Sequence, residues 1–159
     1  MKVKVMWTGR ITNARFRAEG KTVEEVVKFL NSKEEWGRFD WKLEYKIWPN
    51  PQGTVRVIVL KPWFKISMPS WRGYTRQSQA IKNAWDSMYR ALRKHENEHK
   101  TKFITDLQKL QRKLEMMDPC AQSECKNILD EAMKEIQTVQ DKFDVETNHG
   151  KDRGVVINI

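Results

Sequence analysis

Five consecutive residues near the middle of the chain, His95-Glu96-Asn97-Glu98-His99, form the pattern HExxH. On an α-helix, residues four apart lie one turn apart on the same face, separated by roughly 6 Å along the axis. His95 and His99 can therefore bind one zinc ion together. Zinc makes water a usable nucleophile near neutral pH, and the adjacent Glu96 can take that water's proton. The pattern predicts hydrolysis of peptide bonds, with Zn²⁺ as cofactor and Glu96 as general base.

A third protein ligand must come from outside the motif. No Gly or His follows His99 at the offsets of the metzincin pattern, so a distant residue is needed. His149 is the only other histidine, and the chain should return it towards the motif after a second helix, which makes it the first candidate. Asp144 is the second candidate. The further carboxylates that remain open are Glu146, Glu131 and Glu135.

The sequence also suggests residues that could support the metal ligands, but it does not fix their positions. Thr147 and Asn148 flank His149 and can hydrogen-bond a ligand imidazole or an oxyanion, although a structural role in a turn fits them equally well. An electrophile for the reaction is also expected. The sequence offers candidates without placing them near the motif: Tyr74, Tyr89 and Arg153.

The elements that must present the motif are helical. Residues 76 to 117 contain no Pro or Gly, and their apolar residues recur at spacings of three and four, on a stripe that includes both histidines. We predict one long helix here, ended by Asp118-Pro119. A second helix is predicted over 123–143, packed against the first as an antiparallel hairpin. Asn148 to Gly150 should form a loop and Val155 to Ile159 a short final strand.

The first half of the chain reads as strands with one helix. Alternation predicts strands over 13–18 and 41–47, and Thr22 with Glu25 forms a capping box that opens a short helix. The turn at 49–53 leads into a strand over 54–66, predicted to return as a hairpin and to end at Met68-Pro69. Pro62 should mark a bulge or an edge, and a free edge of this strand could bind extended substrate.

These patterns together predict the fold class α+β. All seven Trp lie at or before Trp85, so we expect a Trp-rich antiparallel sheet with one short helix, followed by the zinc-bearing helical hairpin, in a zincin-like arrangement. One domain should cover residues 1–159. Its parts would be strands with one helix over 1–70, the hairpin over 76–143, and a metal-ligand loop with the final strand over 144–159.

Cys120 and Cys125 are the only cysteines, and their spacing does not suit a structural zinc site. Pro119 and Ser123 favour a bend that would let the two side chains meet in a small disulfide loop. Within one continuous helix they would point apart and could not be bridged. The alternative is two free thiols in a reducing compartment.

The net charge of +9 is concentrated around the motif. Residues 61–113 hold 13 Lys and Arg against 4 Asp and Glu, and 13 − 4 accounts for the whole excess. A basic field can attract nucleic acid, but no nucleic-acid motif accompanies it, so a solvated helix face is expected instead. No apolar run is long enough for a transmembrane segment. The start of the sequence is not an intact signal peptide, which fits either a cytoplasmic protein or one whose signal has been removed.

Several segments together resemble a bacterial family of predicted secreted zinc-dependent proteases, catalogued as a domain of unknown function. These are the HExxH helix, the cysteine pair, the strand end Met68-Pro69-Ser70-Trp71 and the stretch from Phe143 to Gly150. The family pairs HExxH with a later YDxxTxHG-type segment. Phe143 stands where Tyr is usual, so a role for that hydroxyl is not carried over.

The resemblance implies His149 or Asp144 as the third ligand and a periplasmic or secreted location rather than a cytoplasmic one. It does not identify a substrate. Three functions stay in competition: a zinc endopeptidase acting on a protein or peptide substrate, a zinc-binding module with little turnover, and a basic nucleic-acid-binding domain with an accidental motif. We expect the first, with no nucleic acid as partner.

Overall fold

The computed structural model describes all 159 residues and has the order β-β-α-β-β-α-α. A four-stranded sheet and three helices, one of them very long, confirm the α+β class. Two single-turn 3₁₀ helices complete the structure, at Tyr74–Arg76 and Lys151–Arg153. The strands are β1 (Lys2–Val5), β2 (Gly9–Ala18), β3 (Arg38–Pro49) and β4 (Val55–Trp71), and the helices are α1 (Val23–Asn31), α2 (Gln79–Glu115) and α3 (Gln122–Thr147).

The sheet is built around β4, which pairs with β1, β2 and β3. β1 runs parallel to β4, with Lys2 opposite Val57 and Val5 opposite Leu60. The prediction of an antiparallel sheet is therefore wrong for this pair. A parallel pair needs a crossover connection rather than a tight turn, and the long stretch between β1 and β4, which includes α1, supplies it. β1 itself was not predicted, because four residues carry too little pattern.

β4 extends further than the sequence indicated. It continues through Met68-Pro69 to Trp71, five residues beyond the predicted end. Pro62 lies inside it, where its carbonyl oxygen accepts a 2.9 Å hydrogen bond from the Thr8 amide. Proline lacks only the donor, so a strand can keep it where the carbonyl alone is used. With three partners β4 is central, and the predicted free edge for extended substrate does not exist.

Helices α1 and α3 begin within one residue of the predicted positions, and α2 begins at Gln79, three residues later than predicted. The capping box of α1 is confirmed, with the Glu25 amide 3.3 Å from the Thr22 hydroxyl. α2 buries the predicted stripe, from Met88 through both motif histidines to Leu114. α3 continues four residues beyond its predicted end and so carries Asp144 on the helix. Neither long helix, nor α1, combines the length and apolarity that a membrane crossing requires.

One correction and one confirmation concern the segments on either side of α3. Residues 155–159 form no strand, and the prediction there is wrong. Val155 is instead buried, with its amide bonded to the carbonyl of Gly150. The predicted disulfide is present: Cys120 precedes α3 and Cys125 lies in its first turn, with Cα atoms 6.1 Å apart. Because Cys120 lies outside the helix, the chain bends between the two cysteines and their side chains can meet.

The chain divides into two compact units, and the prediction of a single domain stays a prediction. The first unit holds the disulfide and consists of Met1–Arg10, Trp41–Phe64 and Lys100–Asp141. The second consists of Ile11–Asp40, Lys65–His99 and Lys142–Ile159. The HExxH motif and residues 144–149 all belong to the second unit, so the candidate site is described within it.

Candidate metal centre

The two motif histidines lie one turn apart on the buried face of α2. His95 is 4% exposed and His99 3%. Their Nε2 atoms are 3.2 Å apart, so both rings point at the same place. The Nδ1 atom of His95 is buried without a hydrogen-bond partner, which leaves Nε2 as the nitrogen of this ring that makes polar contacts.

Asp144 completes a triangle of donor atoms with the two histidines. Its Oδ1 atom lies 2.9 Å from Nε2 of His99 and 3.1 Å from Nε2 of His95. Two ligand atoms on one zinc ion, each about 2.1 Å from it, are separated by roughly 3.4 Å in a tetrahedral site. The observed separations are close to this value. His95, His99 and Asp144 therefore form a group that could hold a metal ion.

The charge of Asp144 is stabilised by the same contacts. Burial alone raises the pKa of this carboxyl, but the hydrogen bonds from His95 and His99 outweigh that effect and leave the pKa below its ordinary value. Asp144 is therefore an anion when the imidazoles are in place. An ionised carboxylate and two imidazoles are the donor types that zinc binds in proteins.

Aromatic rings hold the two imidazoles in place. Phe143 stacks on His95 at a centroid distance of 4.9 Å and meets His99 edge-on at 4.8 Å. Phe39 stacks on the ring of His99 at 5.9 Å. Phe143 is thus a buried ring packed against both ligand candidates.

Glu96 lies beside this group and is 1% exposed. The pKa of its carboxyl is raised to about 8, chiefly by burial; His99 opposes the rise, and the negative charges of Glu35 and Asp144 add to it. The backbone of Gly37 packs against it so closely that a Cβ atom there would lie 2.8 Å from Oε1. A carboxyl with a pKa near neutrality is suited to take up and release a proton.

His149, the first candidate for the third ligand, is not one of the three donors that converge on one point. Its Nδ1 atom is 3.8 Å from Oδ1 of Asp144, and it does not join the group that contains both motif histidines. Its backbone is left-handed (φ 52°), as are those of Asn148 (φ 49°) and Gly150 (φ 81°). The second candidate, Asp144, therefore contacts both motif histidines, and His149 lies next to Asp144.

Thr147 and Asn148, the two residues expected to support the ligands, have structural roles in the turn after α3. The Thr147 hydroxyl is buried, donates to the Phe143 carbonyl at 2.8 Å and accepts from the Gly150 amide at 3.2 Å. It joins the end of α3 to the loop that carries His149. Asn148 is exposed and contributes its left-handed backbone to the turn.

Glu35 was not predicted. It precedes β3, is partly buried, and forms a second group of potential metal ligands with Asp144 and His149, all donor atoms lying within 4.8 Å of one another. Burial raises its pKa, and the charge of Asp144 adds to the rise. A glutamate in the charged run Lys33-Glu34-Glu35 carries no signal in the sequence that would single it out.

The other sequence candidates have different partners. Glu146 is exposed and pairs with Lys142 at 3.6 Å. Glu131 and Glu135 belong to the first unit. The Tyr74 hydroxyl bonds Asp86, and the Tyr89 hydroxyl accepts from Arg93. Arg153 pairs with Glu98 at 2.6 Å and lies over the ring of Phe143, which packs on both histidines, at 5.4 Å.

Comparison with known proteins gives one match. Neither the curated proteins nor the solved structures contain a chain that matches this one. A family model described as "Bacterial protein of unknown function (DUF922)" matches residues 14–150, a range that contains the whole candidate metal centre. Because the match covers most of the sequence, the chain belongs to this bacterial family.

Proposed function

We propose that this protein is a zinc-dependent endopeptidase. The observation that carries the proposal is the convergence of three donor atoms, from His95, His99 and Asp144, within 3.2 Å of one another and beside a buried glutamate. A chance HExxH on a charged helix gives no reason for a carboxylate from a distant helix to meet both imidazoles. The convergence therefore supports a metal site.

The donor set favours zinc among the divalent ions. Two imidazole nitrogens and one carboxylate oxygen, with room for a further ligand, are typical of catalytic zinc sites. Zinc at this position would polarise a substrate carbonyl and activate water for attack. His95, His99 and Asp144 would hold it, and Phe143 and Phe39 keep the imidazoles in the binding orientation.

Glu96 supplies the proton transfers in this proposal. It follows the first ligand, lies within the same buried cluster, and its pKa of about 8 lets the carboxyl exchange a proton near neutral pH. It would accept a proton from the attacking water and deliver it to the leaving amine. The substrate would be a protein or peptide.

A second function deserves a test because of the burial of Glu96. Only 1% of this residue is exposed, and its Oε2 atom has no hydrogen-bond partner. Water and substrate reach such a carboxyl only if the surrounding residues move. The alternative is therefore a zinc-binding module of the same fold with little or no turnover.

The deciding experiment measures metal content and hydrolysis on the same samples. Zinc is counted by inductively coupled plasma mass spectrometry, and cleavage is followed on a mixture of unfolded proteins. His99→Ala should lose zinc and activity together. Glu96→Gln should keep zinc but lose hydrolysis by about 10²–10⁴-fold, the usual contribution of general acid–base catalysis. Glu131→Gln, on the surface of the first unit, is the matched control and should resemble wild type.

The outcomes separate the candidates. Zinc with hydrolysis that depends on Glu96 supports the endopeptidase. Zinc without hydrolysis of any protein in the mixture favours the binding module. A folded wild type that takes up no zinc after the ion has been offered rejects both functions.

We also propose a periplasmic or secreted location. The Cys120–Cys125 disulfide is compatible with it, since disulfides persist in oxidising compartments. Fractionation of the bacterium that makes the protein tests this directly, and recovery of the chain in the cytoplasm with both thiols free would contradict it.

A further inference from the structure

We infer that Glu35, Asp144 and His149 form a second divalent-cation site, next to the first and sharing Asp144 with it. The inference rests on the proposed metal centre, because Asp144 would bridge the two ions. It assigns a role to Glu35 and His149, which do not belong to the group of donors formed by Asp144 and the motif histidines.

The donor atoms are already close enough to be drawn onto one ion. All three lie within 4.8 Å of one another, and Nδ1 of His149 is 3.8 Å from Oδ1 of Asp144. Ligand atoms bound to one zinc ion at roughly 2.2 Å can be at most about 4.4 Å apart. Small side-chain movements of the partly exposed Glu35 and His149 therefore suffice to close the site.

His149 has a free donor in the right place. Its Nδ1 atom is buried and has no hydrogen-bond partner, whereas buried polar atoms normally have one. The histidine also sits in a left-handed backbone conformation between Asn148 and Gly150. Such a backbone conformation is uncommon for residues other than glycine and is often retained where it positions a ligand. The His149 amide bonds the Asp144 carbonyl at 2.8 Å, which ties these two donors together.

A small cavity lies beside two of the three donors, Glu35 and His149. Its volume is about 30 Å³, and its lining also includes Lys33, Glu34 and Lys151 but not Asp144. This exceeds the roughly 10–15 Å³ that a cavity needs to hold one water. The cavity can therefore hold a water next to Glu35 and His149.

The ligand types indicate which ions would bind and how strongly. One imidazole and two carboxylates suit Zn²⁺ or Mn²⁺. In two-metal hydrolytic sites the ions lie about 3.5–4 Å apart. Glu35 and His149 are both more exposed than His95 and His99, so the second ion should exchange faster and bind more weakly than the first.

Zinc titration of the chelator-stripped full-length protein tests the inference. Isothermal titration calorimetry counts the sites, and circular dichroism confirms that each variant is folded. Wild type should bind two Zn²⁺ per chain, the second at least tenfold more weakly. Glu35→Gln and His149→Ala should each bind only the tight ion, and His95→Ala should lose the tight ion. Glu19→Gln is the control, since Glu19 is exposed, belongs to neither ligand group and does not line the cavity, and this variant should bind two ions.

Each other result counts against a specific part of the inference. One site in wild type overturns the second site and leaves the proposed function intact. Loss of the tight ion in His149→Ala would make His149 a ligand of the first site, and two ions in Glu35→Gln would remove Glu35 from the ligand set. Binding of no ion by folded wild type rejects the proposed function as well.

Discussion

At the scale of single residues, Gly37 leaves the space that Glu96 occupies. A Cβ atom at position 37 would lie 2.8 Å from Oε1 of Glu96 and 2.9 Å from Cδ1 of Leu92. Gly37 is buried directly before β3, while both neighbours belong to α2. The absence of a side chain at this position is what allows the glutamate to occupy its place beside the histidines.

Replacement of Gly37 by Ala should therefore displace Glu96 and slow hydrolysis. A shift of about 1 Å in a catalytic group can cost on the order of 10²-fold in rate. Gly37 does not adopt a positive φ, so the added methyl group acts by contact and not by backbone strain. We expect kcat to fall by tenfold or more while zinc content stays at the wild-type value. Unchanged kcat in Gly37→Ala would show that Glu96 tolerates displacement and weaken its role as general base.

The raised pKa of Glu96 predicts a pH dependence of stability in the metal-free protein. In the folded state the carboxyl holds its proton to pH about 8, whereas its ordinary pKa is 4.5. Between these values the folded state binds more protons than the unfolded chain. The stabilisation is therefore complete below pH 4.5 and is lost as pH rises to about 8, by up to about 1.4 kcal/mol per pH unit.

Urea unfolding at several pH values, in the presence of a chelator, measures this effect. Glu96→Gln cannot lose a proton, so the difference in unfolding free energy between variant and wild type should grow in favour of the variant from pH 5 to pH 8. Parallel pH profiles for the two proteins would contradict the assignment of a buried, protonated Glu96.

At the scale of elements, the decisive junction is the end of α3. Helix α3 presents Asp144 to the motif, and the left-handed residues that follow place His149 beside it. The hydroxyl of Thr147, only 2% exposed, links the two by its bonds to Phe143 and Gly150. Helices often end at a left-handed residue, and here two such residues precede the glycine.

Thr147→Val should destabilise this junction. Valine keeps the shape of threonine but leaves the buried Gly150 amide without an acceptor, a loss worth about 1–3 kcal/mol. We expect a lower unfolding free energy by that amount and weaker metal binding, measured by denaturant unfolding and zinc titration. Thr147→Ser retains the hydroxyl and is the control. Equal stability of Thr147→Val and wild type would mean that the hydroxyl does not hold the junction.

At the scale of the whole molecule, the disulfide and the candidate metal centre belong to different compact units. The bridge closes a short loop, since its cysteines are separated by five positions. The chain-entropy relation gives a stabilisation of about 2 kcal/mol for a loop of this size.

Reduction should therefore lower stability without removing metal. We expect wild type treated with a phosphine reductant to lose about 2 kcal/mol of unfolding free energy and to bind zinc with unchanged stoichiometry. The Cys120→Ala/Cys125→Ala protein provides the reductant-free comparison. Loss of zinc on reduction alone would show that the two units depend on each other for folding.

Local features of the fold were predictable because their causes are local. The capping box of α1 needs only Thr22 and Glu25, three residues apart. The long helix α2 is indicated by its apolar period and by the lack of Pro and Gly. The end of α3 was placed four residues too early, since no strong stop signal precedes Gly150 and the apolar pattern simply fades. The four-residue strand β1 has too few residues to show a pattern.

The sequence by itself determined the two imidazoles and the glutamate of the site, because spacing along one helix places His95, Glu96 and His99 without reference to the rest of the chain. It ranked His149 ahead of Asp144 as the third donor, whereas the structure groups Asp144 with the two imidazoles. Only the tertiary structure places Asp144 against both motif histidines and brings Glu35 and His149 close to Asp144. Asp144 is 45 and 49 positions from the two histidines, and Glu35 is 144 − 35 = 109 positions from Asp144. The distances between these residues depend on how helices and strands pack, which no local pattern encodes.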